Sequence, residues 1–308
     1  MPPVRTKDVD EVAAVFCADL HLTLLQPACR ADDDWQAVQA GYLAQLAEIS
    51  PTAPIICAGD IFDKWNTPPE LINFALKHLP DGMYCVPGQH DLPNHLMKRK
   101  VRSGYGVLKE VGKIHDLSEG NSIFLPHHGL YLNGFGWDEE ITPPTIETSS
   151  SKNTHVAVIH RYCWEEGLSY PGAPMTNKAS AFKKALKGYE VAVFGDNHKG
   201  FLSTAGDCIV LNCGGFIRRK SDEIDYVPKV GVLLKDGRVR RVKLNTTGDR
   251  FHSVGEGKKD EVDLSDFIEQ LEGLGEQGLD FRVAVEHYLS ANVVDAQIKQ
   301  IILQSLEA

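Results

Sequence analysis

The sequence predicts an α/β fold because short apolar segments alternate with amphipathic ones, and polar residues directly follow several of the apolar segments. The apolar segments 12–18, 55–58 and 83–86 have the length of buried strands. Between consecutive apolar segments lies a stretch in which apolar residues recur at helical spacing. This alternation is typical of a sheet with helices packed on it. We therefore expect ligands at the carboxyl ends of these strands, where open α/β sheets bind them.

Two helices are predicted between these strands. The apolar residues of the first recur at helical spacing and are Trp35, Val38, Tyr42, Leu46 and Ile49. Its expected N-cap is Asp32 or Asp33. The second helix is predicted to begin at Pro68-Pro69, because proline is favoured in the first turn of a helix.

The second half of the chain repeats this pattern less regularly. Strands are expected at 155–159, 191–194, 208–211, 230–234 and 239–244, and a helix at 178–186. Segment 139–153 is rich in Thr, Ser and Pro and is predicted to be a surface loop. We assign residues 1–245 to one large domain that carries the candidate site, 246–261 to a polar linker, and 262–308 to a small α/β segment with the make-up of a capping domain.

Composition excludes several classes of protein. The chain has 308 residues, a net charge of −10 and a pI of about 5.6, which excludes a generally basic nucleic-acid binder but allows a local basic patch. Its seven cysteines cannot all pair, so we expect reduced core thiols at Cys17, Cys57 and Cys85. The N-terminus has no signal-peptide pattern, and no apolar run is long enough to cross a bilayer. We predict a cytoplasmic protein without membrane association, and its oligomeric state stays open.

Five predicted strand ends carry acidic, imidazole or amide side chains. They are Asp19 and His21, Asp60, Gln89 and His90, His160, and Asp196 and His198. Residues i and i+2 of an extended strand point the same way, so each Asp-x-His pair could direct two ligands at one point. Each piece alone is common, but the ordered set is specific for a metal site.

The types of ligand in this set narrow the choice of metal. Mixed carboxylate and imidazole ligands suit Mn²⁺, Fe, Zn²⁺ or Co²⁺, and the excess of oxygen favours Mn²⁺. We expect two divalent ions, with Mn²⁺ favoured and Mg²⁺, Fe and Zn²⁺ as alternatives. Two ions in one site can activate a bridging water and hold a phosphoryl group in line for displacement.

The ordered motifs resemble those of the calcineurin-like metallophosphoesterases. That superfamily carries DxH, GDxx, GNH(D/E), a lone His and GHxH in this order. The corresponding segments here are Asp19-Leu20-His21, Gly59-Asp60-Ile61-Phe62, Gly88-Gln89-His90-Asp91, His160 and Gly195-Asp196-Asn197-His198. The resemblance covers roughly residues 10–245 and implies a four-layer αββα sandwich.

The resemblance also implies a role for each motif residue. One metal would be held by Asp19, His21, Asp60 and His198, and the other by Asp60 as the bridge, Gln89, His160 and Asp196. A metal-bridging water would be the nucleophile. His90 would not be a ligand but would donate a proton to the leaving oxygen, or stabilise it.

Within the superfamily the sequence is most similar to the SbcD-type DNA repair nucleases. The likeness lies in Gly59-Asp60-Ile61-Phe62-Asp63 followed by Pro68-Pro69, and in Gly88-Gln89-His90-Asp91-Leu92-Pro93. In that family an acid at the position of Asp63 orients the catalytic histidine. The resemblance implies a Mn²⁺-dependent nuclease acting on DNA, with an SbcC-like ATPase as a candidate partner. Exonuclease and endonuclease action both stay open, as does the preference for single or double strands.

Two positions depart from the family pattern. Gln89 stands where the family has Asn, and Asp196 stands where it has the first His of GHxH. The amide oxygen of Gln89 can still ligate, from one methylene further out. Asp196 replaces a neutral nitrogen with a charged oxygen, which favours hard cations. Decay of the second metal site is the alternative interpretation.

Two basic clusters are candidate contacts for backbone phosphates. The first contains Lys98, Arg99, Lys100 and Arg102, and the second contains Arg218, Arg219 and Lys220. Both clusters follow loops that lie beside the predicted metals, although runs of charge usually form solvated surface. His95 could contact substrate, but a surface or loop position is favoured for it. Trp65 and Trp164 also follow site residues and could line the cleft, and core packing explains them equally well.

Three functions compete on this evidence. The leading one is a Mn²⁺-dependent nuclease of the SbcD type. The first alternative is the same chemistry on a small phosphodiester or phosphomonoester, and the second is a metal-binding module with little catalysis. A basic rim beside the metals would favour the nuclease, and a closed pocket over the metals would favour the small phosphoester. An empty Gln89/Asp196 site would favour the metal-binding module.

Overall fold

A computed structural model describes residues 12–144, 153–169 and 173–252. The predicted segment at 262–308 and most of the predicted linker lie outside the described residues, as do positions 145–152 of the predicted surface loop. Within the described ranges, none of the helices has the length and apolar character that crossing a membrane requires.

The first sheet has six strands and contains the three strands predicted in the first half of the chain. Its members are β1 (Val12–Cys17), β2 (Ile55–Cys57), β3 (Met83–Cys85), β4 (Ile114–Asp116), β11 (Lys229–Leu234) and β12 (Val239–Lys243). The spatial order is β12-β11-β1-β2-β3-β4. Strands β1 to β4 are parallel, so their carboxyl ends meet at one edge.

The second sheet also has six strands. Its members are β5 (Ser122–Leu125), β6 (Leu130–Phe135), β7 (Thr154–Ile159), β8 (Val191–Phe194), β9 (Phe201–Ala205) and β10 (Cys208–Asn212), in the order β5-β6-β7-β8-β10-β9. Strands β6, β7, β8 and β10 are parallel, and the edge strands β5 and β9 run antiparallel to their neighbours. The strands predicted at 155–159 and 191–194 are confirmed as β7 and β8.

Three α-helices pack on the first sheet. Helix α1 (Trp35–Ile49) is capped by Asp34, whose carboxylate accepts a hydrogen bond from the amide of Ala37 at 2.9 Å. The prediction of Asp32 or Asp33 as the cap is therefore wrong. Helix α2 (Pro69–His78) begins at the predicted proline pair, and α3 (Gly104–Glu110) was not predicted.

Three apolar layers hold the molecule together. Leu43 and Phe74 of the helices pack on the outer face of the first sheet. Phe16 and Val158 belong to the core between the two sheets. Phe182 contributes to a third core on the outer face of the second sheet. The described residues thus form the mixed α/β sandwich that the motifs implied.

The outermost layer on the second sheet differs from the prediction. A helix was expected at 178–186, but the chain forms a short 3₁₀ segment at Ala179–Lys183. Its Phe182 still packs on the sheet, so the layer is present with a tighter helical geometry. Cys17, Cys57 and Cys85 are buried thiols that form no disulfide, as predicted.

The start of the predicted linker belongs to the folded unit. The side chain of Arg30 is completely buried and pairs with Asp249 at 3.0 Å. The guanidinium of Arg30 also lies over the ring of Phe251 at 4.7 Å. The first compact unit ends at His252, and the predicted domain boundary at 245/246 stays a prediction.

Candidate metal centre

The predicted ligands lie on loops at one edge of both sheets. Five parallel strands end there, namely β1, β2, β3, β7 and β8. These loops carry all seven predicted ligands, which are Asp19, His21, Asp60, Gln89, His160, Asp196 and His198. Three groups of side chains within them place their donor atoms within 4.8 Å of one another, and the groups are Asp19/His21/His198, His21/Asp60/His90 and Asp19/Asp60/His160.

The backbone reaches this arrangement through left-handed turns instead of an extended strand. The φ angles are 54° at Asp19, 45° at His21, 54° at Asp60 and 75° at Asp196. The expectation that an extended Asp-x-His would align two ligands is therefore wrong at both motifs. Non-glycine residues in this region cost about 1–2 kcal/mol each, and such strain is concentrated at functional sites.

Hydrogen bonds between the loops hold the turns in place. The amide of Asp19 donates to the carbonyl of Gly59 at 3.0 Å, and the amide of His21 donates to the carbonyl of Asp60 at 2.9 Å. Gly59 itself has a φ of 96°, and a Cβ at this position would lie 2.1 Å from Nδ1 of His160. Glycine before Asp60 thus serves both the turn and the close approach of the imidazole.

Two imidazoles face each other on one side of the centre. Nε2 of His21 lies 3.2 Å from Nε2 of His198, and the ring centroids are 5.1 Å apart. Two nitrogens at this distance repel unless a proton or a cation lies between them. Metal–imidazole bonds of about 2.0–2.1 Å bring two ligand nitrogens to a comparable separation, so this pair suits one shared cation.

His160 occupies the other side. Its Nδ1 donates to the carbonyl of Ala58 at 2.6 Å, which directs Nε2 into the site. That Nε2 lies 2.6 Å from Oε1 of Gln89 and 3.3 Å from Oδ2 of Asp60. A backbone carbonyl on the far nitrogen is the usual support for a metal-binding imidazole. Gln89 Nε2 in turn donates to Oδ1 of Asp196 at 2.9 Å.

Several buried polar atoms in the centre have no hydrogen-bond partner within the described part of the chain. They are Oδ2 of Asp19, Oδ2 of Asp60 and Nδ1 of His21. Both carboxylates are only 1% exposed. A buried carboxylate oxygen without a partner is strongly disfavoured unless a cation or proton offsets it. The residues therefore fit the divalent cations that the motifs imply.

The two central carboxylates differ in their ionisation. Burial raises the pKa of Asp19 from 3.8 to about 7, although His198 and His160 attract its charge. Burial also opposes ionisation of Asp60, but attraction by His160 and His90 outweighs it and lowers the pKa to about 2. Asp60 therefore remains ionised at neutral pH, as a carboxylate shared by two cations should.

Asp91 joins two of the loops and was not given a role by the sequence. Its buried carboxylate accepts hydrogen bonds from the amides of Gly88 at 3.0 Å, Ile61 at 3.2 Å and Phe62 at 3.1 Å. Burial and the nearby charge of Asp60 raise its pKa to about 8. The signal for this role was its position directly after Gly-Gln-His.

Asn197 was also missed. Its Nδ2 donates to the carbonyls of Cys163 at 2.8 Å and Leu168 at 3.0 Å, and its Oδ1 accepts from the amide of Lys199. The side chain therefore fastens the loop after β7 to the loop that carries Asp196 and does not point at the metal ligands.

The histidine predicted to protonate the leaving group is oriented differently from the prediction. Nδ1 of His90 contacts the main-chain oxygen of Asp63 at 3.0 Å. The carboxylate of Asp63 instead pairs with Arg219 at 2.5 Å and lies 3.6 Å from Nδ1 of His21. The expected carboxylate–histidine contact is thus replaced by a main-chain one. The assignment of His90 as a non-ligand stays a prediction, since it lies in one of the three donor groups.

Glu223 supports the site from behind and has no signal in the motifs. One carboxylate oxygen accepts hydrogen bonds from the amides of Arg219 at 2.7 Å and Lys220 at 3.1 Å. The other lies 3.8 Å from Nδ1 of His198. Burial would lower the pKa of His198, but Glu223 and Asp19 raise it overall.

The predicted basic clusters are only partly available to a ligand. Nη2 of Arg218 pairs with Asp249 at 2.7 Å, and Lys100 is buried against Asp116 at 2.5 Å. Neither is available for phosphate contact, which corrects the prediction for Arg218. Lys98, Arg102 and Lys220 are exposed, while Arg99 and Arg219 are partly exposed.

Several solved structures are similar to this chain at low sequence identity. A protein of Thermus thermophilus is 11% identical over 75% of this chain and 98% of its own, with a TM-score of 0.44. A structure described as a novel archaeal phosphodiesterase is 13% identical over 75% of this chain and 99% of its own, with a TM-score of 0.37. A Thermus thermophilus sulfate thiohydrolase, SoxB, bound to glycerol is 12% identical over 88% of this chain and 61% of its own, with a TM-score of 0.42.

Comparison at the level of sequence gives a clearer result. A search among curated proteins returns no match. The family model described as calcineurin-like phosphoesterase matches residues 13–200, which is more than half of the chain and includes every motif from Asp19 to His198. This chain belongs to the calcineurin-like phosphoesterase family.

Proposed function

We propose that this protein is a Mn²⁺-dependent phosphodiesterase that cleaves DNA, a nuclease of the SbcD type. The observation that carries the proposal is the set of facing donor atoms at the centre. Nε2 of His21 and Nε2 of His198 lie 3.2 Å apart, and Oδ2 of Asp60 is buried without a hydrogen-bond partner in the described structure. Two bound cations would supply an activated water and Lewis-acid stabilisation of the phosphoryl oxygens.

The protein itself positions these groups and one proton donor. The pKa of Asp60 is low, so its carboxylate is ionised and ready to be shared. Nδ1 of His90 is held by the main-chain oxygen of Asp63, which leaves Nε2 to donate to the leaving oxygen when the ring is protonated. Because that contact is to the main chain, the orientation of His90 does not depend on the side chain at position 63.

DNA is the proposed substrate for two reasons. The segments around Asp60 and His90 are similar to those of SbcD-type nucleases. Lys98 and Arg102 are exposed on the 3₁₀ segment Met97–Arg102, which follows the His90 loop. With a net charge of −10, the protein repels a polyanion overall, so binding must depend on such local cations. An SbcC-like ATPase partner stays a prediction that the described residues do not test.

A small phosphodiester or phosphomonoester is the second candidate substrate. It is favoured by the loss of Arg218 and Lys100 from the available cations, since each is neutralised by an acidic partner. A small substrate would need the metal centre and few additional contacts. One experiment separates the two candidate substrates.

The test compares substrates with and without a polyanionic backbone. Mn²⁺-loaded protein is assayed on labelled single- and double-stranded DNA, on bis-p-nitrophenyl phosphate and on nucleotides. We expect the Lys98→Gln/Arg102→Gln variant to cleave DNA more slowly and with a weaker salt dependence. Each lost phosphate contact reduces the counterion release that favours DNA binding. Hydrolysis of bis-p-nitrophenyl phosphate should change little, because binding of this small substrate releases no such counterions.

The matched control changes two cations at the end of the first sheet that lies opposite the metal loops. Lys235 and Arg238 are exposed on the β11–β12 turn, and Leu234 pairs with Val12 at the start of β1, remote from the metal loops. The Lys235→Gln/Arg238→Gln variant should cleave DNA normally. Equal effects of the two double variants would exclude the DNA-contact role of Lys98 and Arg102. Absence of hydrolysis on every phosphoester would leave a metal-binding module.

A further inference from the structure

An aromatic pair stands at the rim of the metal centre beside His160. Trp137 follows β6, and its ring centroid lies 6.3 Å from that of His160 and 6.1 Å from that of His95. The rings of Trp137 and His95 meet at an interplanar angle of 73°. Both side chains are partly exposed, so a flat ligand bound at the centre can reach them.

The turn that carries Trp137 is fastened from several directions. The amide of Trp137 donates to the carbonyl of Pro87 at 3.0 Å, directly before the metal loop that follows β3. The carboxylate of Glu139 accepts from the amides of Gly136 and of Glu119, the latter at 2.8 Å. Nη2 of Arg161 donates to the carbonyl of Glu139 at 2.9 Å. The backbone that carries Trp137 is therefore pre-organised, which lowers the entropy lost when its ring stacks on a ligand.

The backbone that presents His95 is strained. Asn94 and His95 are consecutive non-glycine residues in the left-handed region, with φ angles of 52° and 56°. The strain is tolerated because the amide of His95 donates to the carbonyl of Leu92 at 3.1 Å. Strained residues of this kind persist where their geometry serves a function. The turn places His95 beside Trp137.

We infer that Trp137 and His95 form a base-stacking subsite, which holds the nucleobase flanking the scissile phosphate. This inference rests on the proposed phosphodiesterase function and narrows its substrate to nucleotides. A nucleotide carries its base one sugar away from its phosphate. A phosphate held beside His160 therefore brings its base within reach of a ring 6.3 Å from that histidine. Every base presents a π-face, so such a subsite binds without strong sequence preference.

The test compares ligands that differ only in the presence of the base. One pair is the dinucleotide of two thymidines joined by a single phosphodiester, and the same diester with both bases removed. The other pair is thymidine monophosphate and deoxyribose phosphate. Hydrolysis is measured for the first pair and calorimetric affinity for the second, with Mn²⁺-loaded protein. Base stacking on an aromatic ring predicts a preference of about 5- to 150-fold for the ligand with a base.

Three variants and one control are compared by this preference ratio, because a ratio is insensitive to partial loss of active protein. Trp137→Leu and His95→Leu should each lower the ratio at least about fivefold, and Trp137→Phe should keep most of it. Phe124→Leu is the control. It removes a 42% exposed ring that stacks on Tyr131 near the start of β6, at the end opposite Trp137. Its ratio should equal that of the wild type.

The outcomes separate this inference from the proposed function. If the diesters are hydrolysed and the ratio is the same in wild type, Trp137→Leu and His95→Leu, the stacking subsite is wrong and the phosphodiesterase stands. If no diester is hydrolysed, the phosphodiesterase fails, and the affinity ratio alone decides the subsite. If Trp137→Leu loses its metal, the ring of Trp137 supports His160, and His95→Leu becomes the deciding variant. An unchanged ratio in His95→Leu then overturns the inference.

Discussion

Glu223→Gln tests whether a carboxylate behind His198 tunes the metal centre. One oxygen of Glu223 lies 3.8 Å from Nδ1 of His198, while Nε2 of the same ring faces His21. The substitution removes the charge and keeps an oxygen that can accept from the amides of Arg219 and Lys220. The turn should therefore stay folded, and the effect should appear in metal affinity.

The magnitude follows from the separation. Two unit charges about 4 Å apart near a protein surface interact by about 4 kcal/mol. The ring N–H of a neutral imidazole carries only part of a charge, and about a third of that interaction is about 1.4 kcal/mol, or tenfold in affinity. This agrees with the about 10–100-fold effects that outer supports of metal ligands produce. We therefore expect Mn²⁺ affinity to fall about tenfold in Glu223→Gln.

The assay is a Mn²⁺ titration by calorimetry, with metal content measured in parallel. Glu190→Gln is the matched control, because Glu190 accepts from the amide of His155 at 2.7 Å and that residue lies near the start of β7, away from the centre. The control should bind Mn²⁺ as the wild type does. Equal affinity in wild type and Glu223→Gln would refute the support of His198 by Glu223. A loss shared by both Gln variants would also count against it.

Two further predictions concern turnover and stability. His90→Ala should keep its metal content and lose about 10²–10⁴-fold in turnover, because general acid catalysis is typically of that size; loss of metal in elemental analysis would instead make His90 a ligand. Asp249→Ala should destabilise the fold by about 3–5 kcal/mol in chemical denaturation, because it leaves the buried Arg30 and its neighbour Arg218 short of a partner. A change under about 1 kcal/mol would show that Asp32 alone suffices for Arg30.

The fold was predictable where periodicity is strong. The strands before Asp19 and Asp60 and the helix that begins at Trp35 all lie where the apolar pattern placed them. Strand β4 was missed because only one of its three residues is apolar and its middle residue, His115, is exposed. The equally short strands β2 and β3 were predicted because each consists of apolar residues.

The site was predictable as a set of residues but not as a geometry. Order along the chain identified the ligands, since the motifs fall at successive strand ends. The left-handed φ angles of Asp19 and His21 could not be read from the sequence, because both residues adopt other conformations more readily. The turns exist because tertiary contacts outweigh local preference.

The roles of the charged residues outside the motifs depend on long-range pairing. Arg218 and Arg219 are adjacent in the sequence and look equivalent there. In the structure Arg218 pairs with Asp249, while Arg219 crosses to Asp63. These partners lie 31 and 156 residues away along the chain, and sequence spacing gives no information on such pairs, so the sequence could not assign a partner to either cation.

The two departures from the family pattern form one linked change in the structure. Gln89 is one methylene longer than the usual Asn, and Asp196 is shorter than the usual imidazole. The longer side chain keeps Oε1 at 2.6 Å from Nε2 of His160 while its Nε2 reaches Oδ1 of Asp196 at 2.9 Å. A longer residue at one position thus occupies the space that a shorter residue leaves at the other. The hydrogen bond between the two altered positions links the two substitutions, and the ligand roles of both side chains stay a prediction.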